Sequence, residues 1–349
     1  MSSTNDTTPF QIDEFVFDAR PNYPLLLSTK RYRRDDGGLA SNDPNALTLI
    51  FAHGTGFHKE QWEPTLSDLC DIVSRREGVP IREAWSVDCP NHGEAAVLNE
   101  VSLQWGYEGV FGWGEYARVI HLMLSGLGTG VPTDFKTHNL VGIGHSMGAV
   151  ALTLSLTYPS PPRYRSLILV EPMVMAKAAA EAFGDGLRKG AIARRDIWPS
   201  KEEAFKAFSS RSAFKAWDPR VLRIFCDQGL RDLPTAVYPA EKTGVTLKCV
   251  KTQEAACYCD MNGRAIAYKY LHHACEVLPI HVIYGAIHDY LPATTKEDVV
   301  DNAAAGLLAS VRTVPGAGHL VVQTHPTQLA ESIFNVLSPQ RDSTPRSKL

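Results

Sequence analysis

Three things are scarce in this sequence. No uninterrupted apolar stretch approaches the roughly 20 residues that a membrane-spanning helix needs, so no transmembrane segment is expected. Charge of one sign is also missing: 35 Lys and Arg against 38 Asp and Glu leave a formal net charge of −3, too little to draw the chain toward nucleic acid or an anionic membrane by bulk attraction. Cysteine is sparse and irregular. Seven thiols, an odd number, suit a reduced protein better than a disulfide framework. The close pair Cys257 and Cys259 has a one-residue gap where zinc knuckles and redox motifs have two, so no metal site is expected. The opening residues, MSSTNDTTPFQIDEF, carry neither a basic n-region nor an apolar h-region, and no secretory leader is expected in them. The expectation is a soluble, non-secreted globular protein with no metal and no cofactor.

What is present is an alternation. The runs LTLIFAHGTG, EAWSVDCPNHG, HNLVGIGHS and YRSLILVEP are short and apolar and end in turn residues, as buried strands do. Helical segments follow, notably Glu115 to Ser125 and Met147 to Tyr158. Strands that alternate with helices predict an α/β fold with a mostly parallel central sheet flanked by helices. Two further β-rich stretches, EFVFDAR and PLLLSTKRYRR, precede them and are followed by the turn-rich DDGGLASNDPN. The alternation stops after residue 171. AKAAAEAFGDGLRK and SKEEAFKAFSSRSAFKAW read as helices, and strands return only with PIHVIYG and LASVRTVPGAGH, before a last helix near Pro326 to Leu337. The domain reading is therefore a core of residues 1–171 and 276–340, a helical lid inserted at 172–275, and a tail at 341–349. A lid there would cover the carboxyl edge of the sheet, where open α/β sheets place their ligands.

The chemistry centres on VGIGHSMGAV. Gly144-His145-Ser146-Met147-Gly148 fits the G-x-S-x-G nucleophile elbow, in which a serine sits on a sharp turn between a strand and a helix and flanking glycines let backbones approach. A serine hydroxyl needs a base to take its proton. His319, in VPGAGHLVV, lies where a strand runs into a glycine-rich turn and is the expected base; His325, His272 and His273 read as capping or surface residues, and His53 as structural. A carboxylate must then hold the imidazole tautomer. Asp289 follows the strand after the lid, the commoner place, but stands four residues beyond Gly285. Glu171 ends the strand LILVEP, directly after the elbow helix, and is preferred; both satisfy the chain order Ser, acid, His. An oxyanion hole would use the amide of Met147 and one from AHGTGF, with Thr55 ahead of Gly56 and Phe57.

These residues resemble the α/β-hydrolases. More narrowly, HGTGFHKEQWEP, VDCPNHGEAAVLN, GIGHSMGA, LILVEP, GAGHLVVQTHP and the terminal SKL are similar to the fungal peroxisomal hydrolases of the AK-toxin biosynthesis type, relatives of a yeast peroxisomal lipase and of the acyl-CoA hydrolase of mycophenolic acid biosynthesis. The resemblance implies the α/β-hydrolase fold, a hydrolytic Ser-acid-His site and residence in the peroxisome. It also favours Glu171, because some relatives carry the acid after this earlier strand. An esterase or thioesterase working through an acyl-enzyme is the expected function, with a triacylglycerol or carboxylester lipase as the alternative; a non-catalytic receptor that kept the pocket is the alternative of another class. A serine at residue 146 excludes the epoxide hydrolases and dehalogenases, which need a carboxylate there.

Two further features bear on partners. From Arg188 to Arg223 there are ten basic residues against four acidic ones, a local surplus that predicts Arg194 and Arg195 as contacts for the phosphates of coenzyme A, with a small acyl substrate as partner. Ser347, Lys348 and Leu349 spell the tripeptide that a peroxisomal import receptor reads.

Overall fold

Successive strand residues point to opposite faces, and this sorts the core into two layers. Leu49, Phe51, Ile143 and Ile168 pack on one side of the central sheet; Ile50, Ala52, Leu167 and Leu169 pack on the other. The computed structural model describes residues 10–34, 43–76 and 79–338. Its main sheet has eight strands: β1 (Phe10–Phe17), β2 (Leu27–Arg34), β3 (Leu47–Ala52), β4 (Ile81–Val87), β5 (Asn139–His145), β6 (Tyr164–Val170), β10 (Ile280–Gly285) and β11 (Ser310–Val314), with β7 to β9 lying in the insertion between β6 and β10. Their order is β1-β2-β4-β3-β5-β6-β10-β11. β2 runs antiparallel to β1 and β4, and the pairs from β4 to β11 are parallel. The parallel strands thus end along one edge, and the turns after β3, β5, β6 and β11 meet there.

Helices cover both faces, as βαβ crossovers require. Glu63–Arg75 and Pro326–Leu337 pack with one layer through Leu66, Leu69, Leu329 and Ile333. Trp113–Leu124, Met147–Ser155 and Asn262–Val277 cover the other. The helix Met147–Ser155 is buried along its whole length between these two neighbours and the sheet. That explains its composition: a helix with no solvent face has no use for a polar stripe.

The insertion has its own apolar cluster, in which Trp198, Phe208, Trp217, Val221 and Phe225 pack together. It is not purely helical. β7 (Ile197–Trp198), β8 (Leu230–Asp232) and β9 (Val245–Leu247) form a small antiparallel sheet in the order β7-β9-β8. Runs of two and three residues show no periodicity, which is why the sequence reads only helices here. The end of the insertion also differs from the expected 275. Asn262–Val277 places Ala267, Leu271 and Ala274 in the main core against Met147–Ser155, so by packing it belongs to the helical layer of the core. The start of the chain, most of the turn-rich stretch after β2 and the tail with Ser347, Lys348 and Leu349 lie outside the described residues. Among the described residues no helix is long and apolar enough to cross a membrane.

Candidate active site

β5 ends in Gly144-His145 and the chain turns sharply at Ser146, whose backbone takes φ 54° and ψ −113° before the helix begins at Met147. The turn is so tight that a Cβ on Gly148 would lie 2.2 Å from Ala52 O, and one on Gly144 would lie 2.6 Å from Ala149 N. Both glycines of the elbow are therefore steric requirements. The Ser146 N–H donates to Val170 O at 3.0 Å, tying the elbow to the end of β6.

Glu171 follows Val170 directly. Its backbone is also left-handed, φ 45°, and its carboxylate is fully buried. Glu171 Oε2 accepts from His319 Nδ1 at 3.1 Å, and His319 Nε2 lies 3.1 Å from Ser146 Oγ. Hydroxyl, imidazole and carboxylate therefore form one hydrogen-bonded line drawn from three loops. The other oxygen, Oε1, accepts from Gly285 N–H at 2.6 Å and from Lys296 Nζ at 2.7 Å. Burial pushes the Glu171 carboxyl upward, but the hydrogen bond and charge of His319 and those of Lys296 outweigh it and hold the group below its ordinary value. Sequence reasoning missed Lys296; LPATTKEDVV is an ordinary helix start with nothing to mark it.

Asp289, the alternative acid, is placed differently. Its Oδ1 accepts from the backbone N–H of His319 at 2.8 Å and from that of Tyr290 at 2.8 Å, so it braces the main chain of His319, while Glu171 receives the ring. The carbonyl of His319 is held in turn by His145 Nε2 at 2.8 Å. Burial and the neighbouring His319 push the His145 imidazole down to about 3, which leaves it neutral. Tyr290 stacks on the His319 ring with centroids 5.2 Å apart. His325 bonds to Thr324 at the start of the last helix, and His272 and His273 are exposed beside Glu276.

The loop after β3 supplies amide hydrogens. Gly56 N–H donates to His92 Nε2 at 2.9 Å and Phe57 N–H to Gly54 O at 3.3 Å. Among the described residues the N–H groups of Thr55 and Met147 have no acceptor, and both residues border Ser146. The loop is braced from behind by two neutral histidines. His53 Nδ1 donates to Gly54 O at 2.8 Å while its Nε2 accepts from Cys89 N–H at 3.0 Å, and burial pushes this ring down to about 4. His92, likewise kept neutral by burial, uses Nδ1 on Asn91 Oδ1. His53 is structural, as the sequence suggests, whereas His92 has no role assigned from sequence although it lies in VDCPNHGEAAVLN, one of the stretches that carry the resemblance.

Ser146 and His319 open into a cavity of about 200 Å³. Its walls are aromatic, with Phe57, Trp113, Phe214, Trp217 and Tyr258 among them, and the insertion contributes most of them. Arg194 and Arg195 separate here. Arg194 lines the cavity but is ion-paired with the buried Glu254. Arg195 is exposed, donates to Ile197 O at 2.7 Å and lies over the Trp198 ring, away from the cavity lining. The expected basic surplus is largely cancelled, because Asp185, Asp227, Asp68 and Glu254, all outside the stretch that was counted, pair with Arg188, Lys189, Arg223, Arg220 and Arg194. Arg211 and Lys215 are exposed and make no ion pair among the described residues; they flank Ala213 and Phe214, which line the cavity.

Comparison with known proteins places this geometry among relatives. Residues 49–332 match the model of the alpha/beta hydrolase family. The chain is 32% identical over 218 residues to the type I acyl-CoA thioesterase mpaH of Penicillium brevicompactum, covering 62% of this chain and 46% of that protein. It is 32% identical over 166 residues to the peroxisomal membrane protein LPX1 of Saccharomyces cerevisiae, covering 47% of this chain and 39% of that one. These sequence matches span less than half the length of either relative. Among solved structures, the peroxisomal alpha-beta-hydrolase Lpx1 of S. cerevisiae superposes with a TM-score of 0.69 at 22% identity, over 98% of this chain and 94% of that chain. The thioesterase domain from the curacin biosynthetic pathway gives 0.62 at 15%, over 93% and 99%. At these identities the likeness is one of fold.

Proposed function

The chain belongs to the alpha/beta hydrolase family, and from that premise we propose that it is a serine hydrolase cleaving an ester or thioester through an acyl-enzyme. The observation that carries the reading is the unbroken line from Ser146 Oγ through His319 to Glu171, with both contacts at 3.1 Å, opening on the aromatic cavity. Ser146 Oγ attacks the acyl carbonyl carbon as His319 Nε2 takes its proton. Glu171 Oε2 holds Nδ1–H and stabilises the imidazolium, and the carbonyl oxygen, now negative, takes hydrogen bonds from the Thr55 and Met147 amides. Return of the proton to the alcohol or thiol breaks the acyl bond. Water, activated by the same imidazole, then releases the acid and restores Ser146.

An acyl-CoA is the favoured substrate. The acyl-CoA thioesterase relative supports it, and so does a cavity of about 200 Å³, which suits one small acyl group better than a triglyceride. In this reading Arg211 and Lys215, which flank the lining residues Ala213 and Phe214 in sequence and make no ion pair among the described residues, take over the phosphate contacts first expected of Arg194 and Arg195. Residence in the peroxisome is proposed on the peroxisomal relative. Two measurements test the function: labelling with a fluorophosphonate, and turnover on acyl-CoAs, p-nitrophenyl esters and triglycerides. Wild type should label rapidly and Ser146→Ala not at all, with acyl-CoAs turned over fastest. A wild type that neither labels nor turns over any of these would point to the non-catalytic receptor instead.

A further inference from the structure

We infer that Lys296 is a positioning residue for this reaction, holding the Glu171 carboxylate charged and aimed at His319. The inference rests on the assignment of Ser146, His319 and Glu171 proposed above. Lys296 stands in the last turn of the short helix Ala293–Asp298, and its side chain is almost wholly buried. Its ammonium group reaches Glu171 Oε1 at 2.7 Å and Gly285 O at 2.9 Å, beside the Tyr284 ring at 5.0 Å from the centroid. Gly285 N–H returns to the same Oε1 at 2.6 Å. Oε1 is thus fully engaged by groups that take no part in the proton transfer, and Oε2 is left to the imidazole. A buried ammonium is costly unless it is paired, so a place this deep needs a purpose beyond surface charge.

The purpose follows from counting charges before the reaction begins. While His319 is neutral and able to act as a base, the cation in contact with the buried Glu171 is Lys296. Without it a carboxylate out of water takes up a proton more readily and loses the charge that stabilises the imidazolium. The same cation lies one carboxylate away from His319 and opposes a second positive charge there, so its loss would also make the imidazole keep a proton to higher pH. Both effects have one sign: removing the charge moves the acid limb of the pH profile upward. The other groups around His319 are shared by wild type and variant and cancel in the difference. They are Ser146, the neutral His145, Tyr290 stacked on the ring, Asp289 on the backbone N–H, and the Arg194–Glu254 pair across the cavity.

The test is the pH dependence of kcat/KM on a small p-nitrophenyl ester for wild type, Lys296→Met and Lys296→Arg. The acid limb of Lys296→Met should rise by about one pH unit, with an alkaline plateau within a few-fold of wild type, and Lys296→Arg should bring the limb back. A Lys296→Met profile lowered by one factor at every pH would mean that the residue only supports the fold, and would overturn the inference. Should Lys296→Met not fold, Lys296→Gln, which keeps a donor for Gly285 O without the charge, carries the same expectation. Ser146→Ala and Glu171→Gln separate the two readings. If these retain turnover, the assignment of the reacting groups fails; if they are inactive and the limb of the Lys296 variants stays in place, only the role of Lys296 does.

Discussion

The turn after β6 and the turn after β10 each bring a carboxylate to His319, and they use it in opposite ways. Glu171 is fully buried and receives the ring N–H; Asp289 is exposed and receives main-chain N–H groups. A partner of the ring sets its tautomer and its charge, whereas a partner of the backbone sets only where the ring stands. The chain order does not separate these roles, because both residues satisfy the order Ser, acid, His. What separates them is depth. The turn after β6 lies in the middle of the sheet, between β5 and β10, while the turn after β10 is one strand nearer the edge.

The contrast can be broken most directly at Glu171. Glu171→Gln should lower kcat by about 10³- to 10⁴-fold, since an amide oriented by Lys296 and Gly285 can no longer hold the imidazolium. A collapse in Asp289→Asn with Glu171→Gln still active would reverse the two assignments. Asp289→Ala should cost about tenfold or less in kcat, through a looser His319 backbone, and about 1 kcal/mol of stability for the lost hydrogen bonds; steady-state kinetics and urea unfolding read both. A smaller effect belongs to the insertion. Arg211→Ala with Lys215→Ala should raise KM for an acyl-CoA a few-fold and leave a neutral ester unchanged, and Arg195→Ala should alter neither. The smallest effect is on melting temperature. Glu171 is held below its ordinary carboxyl value in the folded protein, so its contribution to stability is complete above that value, about pH 4.5, and is lost as the pH falls through the folded one. Glu171→Gln should therefore melt with a shallower pH dependence on the acid side; an identical slope would show that the carboxylate is not specifically stabilised.

The central strands, the elbow and His319 were legible because their signals are local: short apolar runs ending in turn residues, glycines at fixed offsets, a histidine in a turn. Contacts between distant segments were not. Lys296 stands 125 residues from Glu171, and Arg220 pairs with Asp68 from 152 residues away. A charge count over a window sees the cation without its partner, which is how Arg194 came to look free of Glu254. The third case is the helix Asn262–Val277, which the expected end of the insertion at 275 cuts through, because nothing local says which layer it packs on.

The left-handed backbone at Ser146 and Glu171 carries a further consequence. Residues other than glycine held there cost of order 1–3 kcal/mol each, and this chain has two of them in hydrogen-bonded line with one imidazole. Replacing Ser146 with glycine would relieve that cost, whereas replacing Glu171 would also leave the buried Lys296 ammonium without its partner. Ser146→Gly should accordingly melt at or above the wild-type temperature while turning over nothing. A lower melting temperature for Ser146→Gly would show instead that the elbow stores no such strain.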